Sequence, residues 1–176
     1  MRKRISYISM MLCLQYVPLH AQLHVSPGSV FHVQANTPFS VDSLIFIPQL
    51  PISFEGQQIT RSASTLQTVG GIQSIERVYL FTPAVNFKGI IGMYYSDADL
   101  NGNSEANLNV AYSNNGTLNV LTGSTRVLSA NKITRKITAA TDIEKLSAIS
   151  QPVTCTKAPP TPGGITQAPA MKPCPG

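Results

Sequence analysis

"ANLNVAYSNNGTLNVLTG", residues 106–123, decides the fold class. Leu108, Val110 and Tyr112 alternate with Asn107, Asn109 and Ala111, which is the period of a strand with one face toward a core. Asn114-Asn115-Gly116 then interrupts the pattern before a second strand-like run, Thr117–Gly123. Asn-Gly supplies the two positive φ angles of a tight hairpin turn, so the stretch reads as two antiparallel strands.

Working outward, the same signals recur at short intervals. "LHVSPGSVFHV" (23–33), "VDSLIFIP" (41–48), "IQSIERVYLF" (72–81), "FKGIIGMYYS" (87–96), "TRVLSA" (125–130) and "KITRKITA" (132–139) are rich in β-branched and aromatic residues. In the third of these, Ile75, Arg77, Tyr79 and Phe81 share one face, opposite Glu76, Val78 and Leu80. Ile133 and Ile137 share parity with Arg135, which suggests an edge strand. The helix candidates are short: "SDADL" as a single turn and "TDIEKLSAI" with Thr141 or Asp142 as its cap. The expected fold is all-β: an antiparallel β-sandwich of about eight strands, Ig-like or related.

The ends have other compositions. Arg2, Lys3 and Arg4 precede an apolar run, Ile5 to Leu19, that is too short and too broken to span a membrane. Leu19-His20-Ala21 then offers a cleavage site before Gln22. Residues 1–21 therefore read as a signal peptide and the chain as exported to the cell surface or medium, the periplasm being the other destination. Removing these three of the 13 basic residues leaves ten against eight acids, a balance of +2 that is no footprint for nucleic acid. Residues 22–150 form one domain. Residues 151–176 hold seven of the 13 prolines and read as a linker, or as the start of a next domain cut short. Cys155 and Cys174, the two cysteines left after cleavage, are candidates for a disulfide closing that tail or for pairing in a following domain.

Chemistry is sparse in the sequence. His24 and His32, eight apart in one expected strand, share a parity but lack further ligands. No nucleophile elbow, phosphate loop, dinucleotide fingerprint or zinc-protease motif occurs, so no catalytic or cofactor-binding residue is assigned and the chain reads as a non-enzyme. The acidic stretch "SDADLNGNSE" (96–105) comes closest to a site. Asp97, Asp99, Asn101 and Glu105 stand at positions 1, 3, 5 and 9 of a calcium loop, with Gly102 at 6. Leu108 stands where the bidentate Glu belongs, and the flanks are strand-like. Only a weaker, open Ca²⁺ site is left, against a polar connection in which Asp97 caps a short turn and Gly102 permits the bend. Tyr94, Tyr95 and Tyr112 are the candidate ligand-facing aromatics of a sugar platform in a chain without Trp.

"SIERVYLFTPAVNFKGIIGMYYSDADLNGNSEANLNVAYSNNG" resembles a β-sandwich module of exported multidomain surface proteins of Gram-negative bacteria that use type nine secretion. The resemblance runs through Arg77-Val78-Tyr79-Leu80-Phe81, Gly92-Met93-Tyr94-Tyr95, the connection Ala98-Asp99-Leu100-Asn101-Gly102, then Glu105 and Leu108. "TDIEKLSAIS" is similar to the last strand of that module, while the usual tryptophan after the hairpin is missing near Leu118 and Val120. The tail "PGGIT…CPG" resembles the opening of a PKD-like or Ig-like repeat. The resemblance implies a structural or adhesive role, with neighbouring domains or surface proteins and glycans as partners, and the 98–102 segment as a connection. A carbohydrate- or calcium-dependent binding module is the alternative, and a small secreted hydrolase the third. Asp42-Ser43-Leu44 fits a short O-glycan acceptor pattern of such bacteria, and Asn115-Gly116-Thr117 is an N-glycosylation sequon.

Overall fold

The computed structural model of the chain describes residues 23–67 and 71–150. The expected signal peptide and the Pro-rich tail with Cys155 and Cys174 lie outside these residues. Two strands organise everything else: β7 (Val78–Tyr94) and β11 (Lys132–Ser150), 17 and 19 residues long. They pair antiparallel from Tyr94↔Lys132 at one end to Tyr79↔Leu146 at the other. The register breaks twice, between Ile137 and Thr141 and between Ile143 and Lys145. Extra residues in one strand bend and twist a ladder, so these breaks divide one long ladder into two halves.

Each half carries its own neighbours. At the first, β4 (Leu44–Pro48) pairs with β7 and with β3 (Phe39–Val41), while β10 (Thr125–Val127) pairs with β11. At the second, β6 (Gln58–Ser62) lies between β7 and β1 (Leu23–His24), and β8 (Leu108–Asn114) lies between β11 and β9 (Thr117–Leu121). Every pairing is antiparallel. A separate ribbon is formed by β2 (Val30–Val33) and β5 (Ile52–Glu55). Leu44, Phe46, Ile91, Met93 and Ile133 of the first half and Ile59, Tyr79, Leu108, Val110 and Leu146 of the second belong to one hydrophobic cluster. The chain is thus an all-β, sandwich-like domain whose two layers share their two middle strands.

All six phenylalanines of the chain form one network. Phe46 is its hub, with ring centroids 5.4 Å from Phe87, 6.0 Å from Phe39, 6.0 Å from Phe81 and 6.3 Å from Phe54. Phe31 and Phe54 bring in the β2–β5 ribbon, which is how that ribbon is tied to the large sheet. Stacked, tilted and edge-on contacts of this kind add about 0.5–1.5 kcal/mol per pair beyond the area they bury. Close approach matters as much as bulk. A Cβ on Gly92 would run into the Ile133 carbonyl oxygen and lie 2.7 Å from Thr134 Cα, so only glycine lets β11 approach β7 at that point.

Several sequence expectations change in detail. The 23–33 run is two strands separated by a turn at Ser26-Pro27-Gly28, so His24 pairs with Gln58 in the large sheet and His32 with Ser53 in the ribbon. No single strand face carries both histidines. The 41–48 run is broken by a two-residue turn at Asp42 (φ 42°) and Ser43 (φ 70°). The segments 72–81 and 87–96 fuse in β7, and the short helix expected at 141–149 is instead the second half of β11. Within the 132–139 segment, Lys132–Thr134 lie between β7 and β10, while Arg135–Ile137 pair with β7 alone, and Arg135 donates from Nη1 to Gly123 O at 2.7 Å. The hairpin is as read: Asn114 pairs with Thr117, and Asn115 and Gly116 take φ 48° and 72°.

Phe46→Ala should lower the unfolding free energy by about 3–5 kcal/mol in urea titrations, the usual cost of emptying a buried aromatic site. Phe31→Ala, at a side chain 37% exposed, should cost less than half as much. Equal losses at both positions would contradict a network centred on Phe46.

Candidate functional site

The acidic connection between β7 and β8 is built from two short 3₁₀ turns, Asp97–Asp99 and Glu105–Asn107. Asp99 holds the first turn together. Its Oδ2 accepts from Ser96 N at 2.7 Å, Ser96 Oγ at 2.9 Å and Arg77 Nε at 2.9 Å, with Arg77 Nη2 at 2.8 Å. Arg77 lies just before β7 on the core-facing parity and is 8% exposed, so its charge needs this partner. Burial pushes the Asp99 carboxyl up, but hydrogen bonds from the Ser96 amide and hydroxyl, then from Arg77, outweigh it and leave the pKa lowered. The backbone joins the same contact, since Glu76 N donates to Asp99 O at 2.7 Å.

The remaining polar groups of the loop are engaged elsewhere. Asp97 Oδ1 accepts from Asn131 Nδ2 at 2.7 Å, which ties the loop to the turn before β11. Asn101 adopts φ 47° and donates from Nδ2 to Ser74 O at 3.2 Å and Gln73 Oε1 at 3.3 Å. Asn103, almost fully buried, donates to Leu100 O and Gln73 O and accepts at Oδ1 from Ser150 N and Oγ. It thereby clamps the loop to the end of β11. Glu105 faces the Tyr95 phenol, which burial first and the nearby Glu105 charge second push up to about 12. Asp97, Asp99 and Asn101 are thus three separate anchors, and Glu105 lies apart from them beside Tyr95. Among the described residues no three His, Cys, Asp or Glu side chains come together to hold a metal ion. Ser96, rather than Asp97, is the N-cap of the first turn.

The three candidate aromatics part company as well. Tyr95 is buried, and Tyr112 is half-buried against the core. Tyr94 is exposed, with Lys132 Nζ 5.5 Å above its ring. Neighbours in a strand point to opposite faces, so Tyr94 and Tyr95 cannot form one platform. Of the two glycan patterns, Asn115 sits exposed at the hairpin tip. Ser43 is half-buried in the β3–β4 turn, beside an Asp42 carboxylate 2.8 Å from Arg61 Nε. Near that hairpin a shallow hollow of about 280 Å³ is lined by Ser113, Leu118, Glu144 and Lys145, among others. Its one carboxylate, Glu144, already faces Gly116 N and Ser113 Oγ at 3.5 Å.

Sequence reasoning missed the Arg77–Asp99 couple and the Asn103 clamp. A signal for the first was present, because a charged residue on the apolar parity of Ile75 and Tyr79 needs a buried counter-charge. For Asn103 there was none, since a calcium-loop register uses only the main chain at that position. No protein-family model, curated protein or solved structure matches the chain.

Two pH limbs follow. The Asp99 carboxylate has its pKa lowered in the fold from an unfolded value of about 3.9. Its contribution is therefore complete above that value and lost as pH falls through the folded pKa. Asp99→Asn should cost on the order of 3 kcal/mol near neutral pH and flatten the acid limb of the urea midpoint. Tyr95 runs the other way: its contribution is complete below about pH 10 and lost as pH rises toward about 12. Tyr95→Phe should shrink that alkaline limb, leaving the part owed to Tyr79, whose pKa burial also raises. Unchanged limbs in both variants would contradict these assignments.

Proposed function

We propose that the chain is an exported, non-enzymatic β-sandwich module with a structural or adhesive role at the cell surface, spacing or presenting neighbouring domains. The observation that carries this reading is the use made of the acidic connection. Asp97, Asp99, Asn101 and Asn103 are spent on holding β7, β8 and β11 in place, and Glu105 is turned to a buried phenol. A loop whose side chains are tied to the protein's own strand ends and turns has a mechanical job, and the fold around it is the kind that presents loops and edges on a rigid scaffold. No helix among the described residues is long and apolar enough to cross a membrane.

Expression of the full chain in a Gram-negative host with an outer-membrane export route tests the reading. The mature N-terminus should be Gln22, and protease added to intact cells should digest the protein. Cytosolic retention with Met1 intact would overturn it. Calcium gives an independent check: at about 5 mM, above the range in which extracellular calcium modules bind, the melting temperature should stay within about 1 °C. A larger shift would return the loop to the status of a metal site.

A further inference from the structure

Sheet edges are where an exported module meets other chains, and the described edges are guarded unequally. β1 has two residues, β3 has three and follows Pro38, and β10 has three and carries Arg126. In the ribbon, β5 follows Pro51 and carries Glu55, and β2 has four residues including His32. Short length, proline and charge are the devices that keep edges from pairing. β9, Thr117–Leu121, ends the nine-stranded sheet and has none of them. Its register with β8 is unbroken from Asn114↔Thr117 to Val110↔Leu121, so no bulge twists it away. The 20 residues from Ala106 to Thr125 include no Asp, Glu, Lys or Arg.

The two-residue hairpin fixes which groups face outward. Asn114 and Thr117 flank the turn as a hydrogen-bonded pair, and such pairs alternate along an antiparallel ladder. Asn119 and Leu121 therefore bond to β8, while the N–H and C=O of Leu118 and Val120 point to the open edge. The described backbone bonds outside the ladders include none from Leu118 or Val120. The side chains of Leu118, Val120 and Leu121 are half-buried, which leaves apolar surface beside the open backbone.

We infer that β9 is the docking edge for a second copy of this chain, the two β9 strands pairing antiparallel about a two-fold axis at Asn119. That register sets Leu118 opposite Val120 twice, so each copy supplies what the other lacks, as an isologous contact requires. The uncharged strand meets its own copy without like-charge repulsion, a cost that would arise at β10 with Arg126. The result is a continuous sheet across two molecules. This goes beyond the surface-module reading and does not depend on it.

Sedimentation of the secreted full chain over a range of concentrations tests the edge. A monomer–dimer equilibrium in roughly the micromolar range is expected for so short a seam. Val120→Pro removes an N–H for which the described residues show no backbone partner and should weaken association about tenfold or more while the melting transition persists. Asn119→Cys should give an intermolecular disulfide that mass mapping places at residue 119 in both chains, whether or not the proline variant folds. A monomer at about 1 mM would overturn the inference. So would a dimer indifferent to Val120→Pro, or a residue-119 cross-link found only to a different protein.

Discussion

The ladder between β7 and β11 is the constraint on which the remaining structure depends. Two strands of 17 and 19 residues are unusually long for a small domain, and each serves both layers. Because the strands are continuous through the bend, neither layer can slide against the other without breaking main-chain hydrogen bonds. A one-residue slip would also turn Met93, Ile133 and Ile137 out of the core and put Tyr94 and Lys136 into it. Gly92 allows the close approach, and the Phe46 network fills the angle between the halves. Dispersion and area burial supply the energy, and the ladder decides where they are collected.

The polar residues of the 96–105 connection follow from that arrangement. β7 ends at Tyr94 and β8 begins at Leu108 on the far side of β11, so the chain must cross the end of the sheet. A crossing segment carries backbone groups that no ladder satisfies. Asp99 and Asn103 satisfy them, one through the turn at Ser96 and the other through Ser150 at the end of β11. Arg77 closes the arrangement from beneath with its ion pair. Composition that suggests an ion site in one dimension is the composition needed to bridge two strand ends in three.

The alternation at 106–113 and the Asn115-Gly116 turn were enough to read an antiparallel all-β domain, because period and turn chemistry are local. Strand continuity was not legible. Thr82-Pro83-Ala84 and Thr138-Ala139-Ala140 look like connections, yet they are exposed residues inside β7 and β11 where the ladder is irregular. Proline within a run argues against a strand unless a bulge absorbs it, and bulges are set by the partner strand. The Asp42-Ser43 turn was hidden for a related reason, since the apolar run on both sides reads as one strand. Of the candidate site, residue types were visible and directions were not. Whether Asp99 meets an ion or Arg77 depends on a partner 22 positions away.

Native-state hydrogen exchange along β7 and β11 tests the shared-strand architecture most directly. Ile91, Met93 and Ile133 in one half and Tyr79, Leu146 and Ala148 in the other should exchange with the same, largest opening free energy, that of global unfolding. Two distinct plateaus, one for each side of the bend, would show halves that open independently and would contradict a domain held together by its two middle strands.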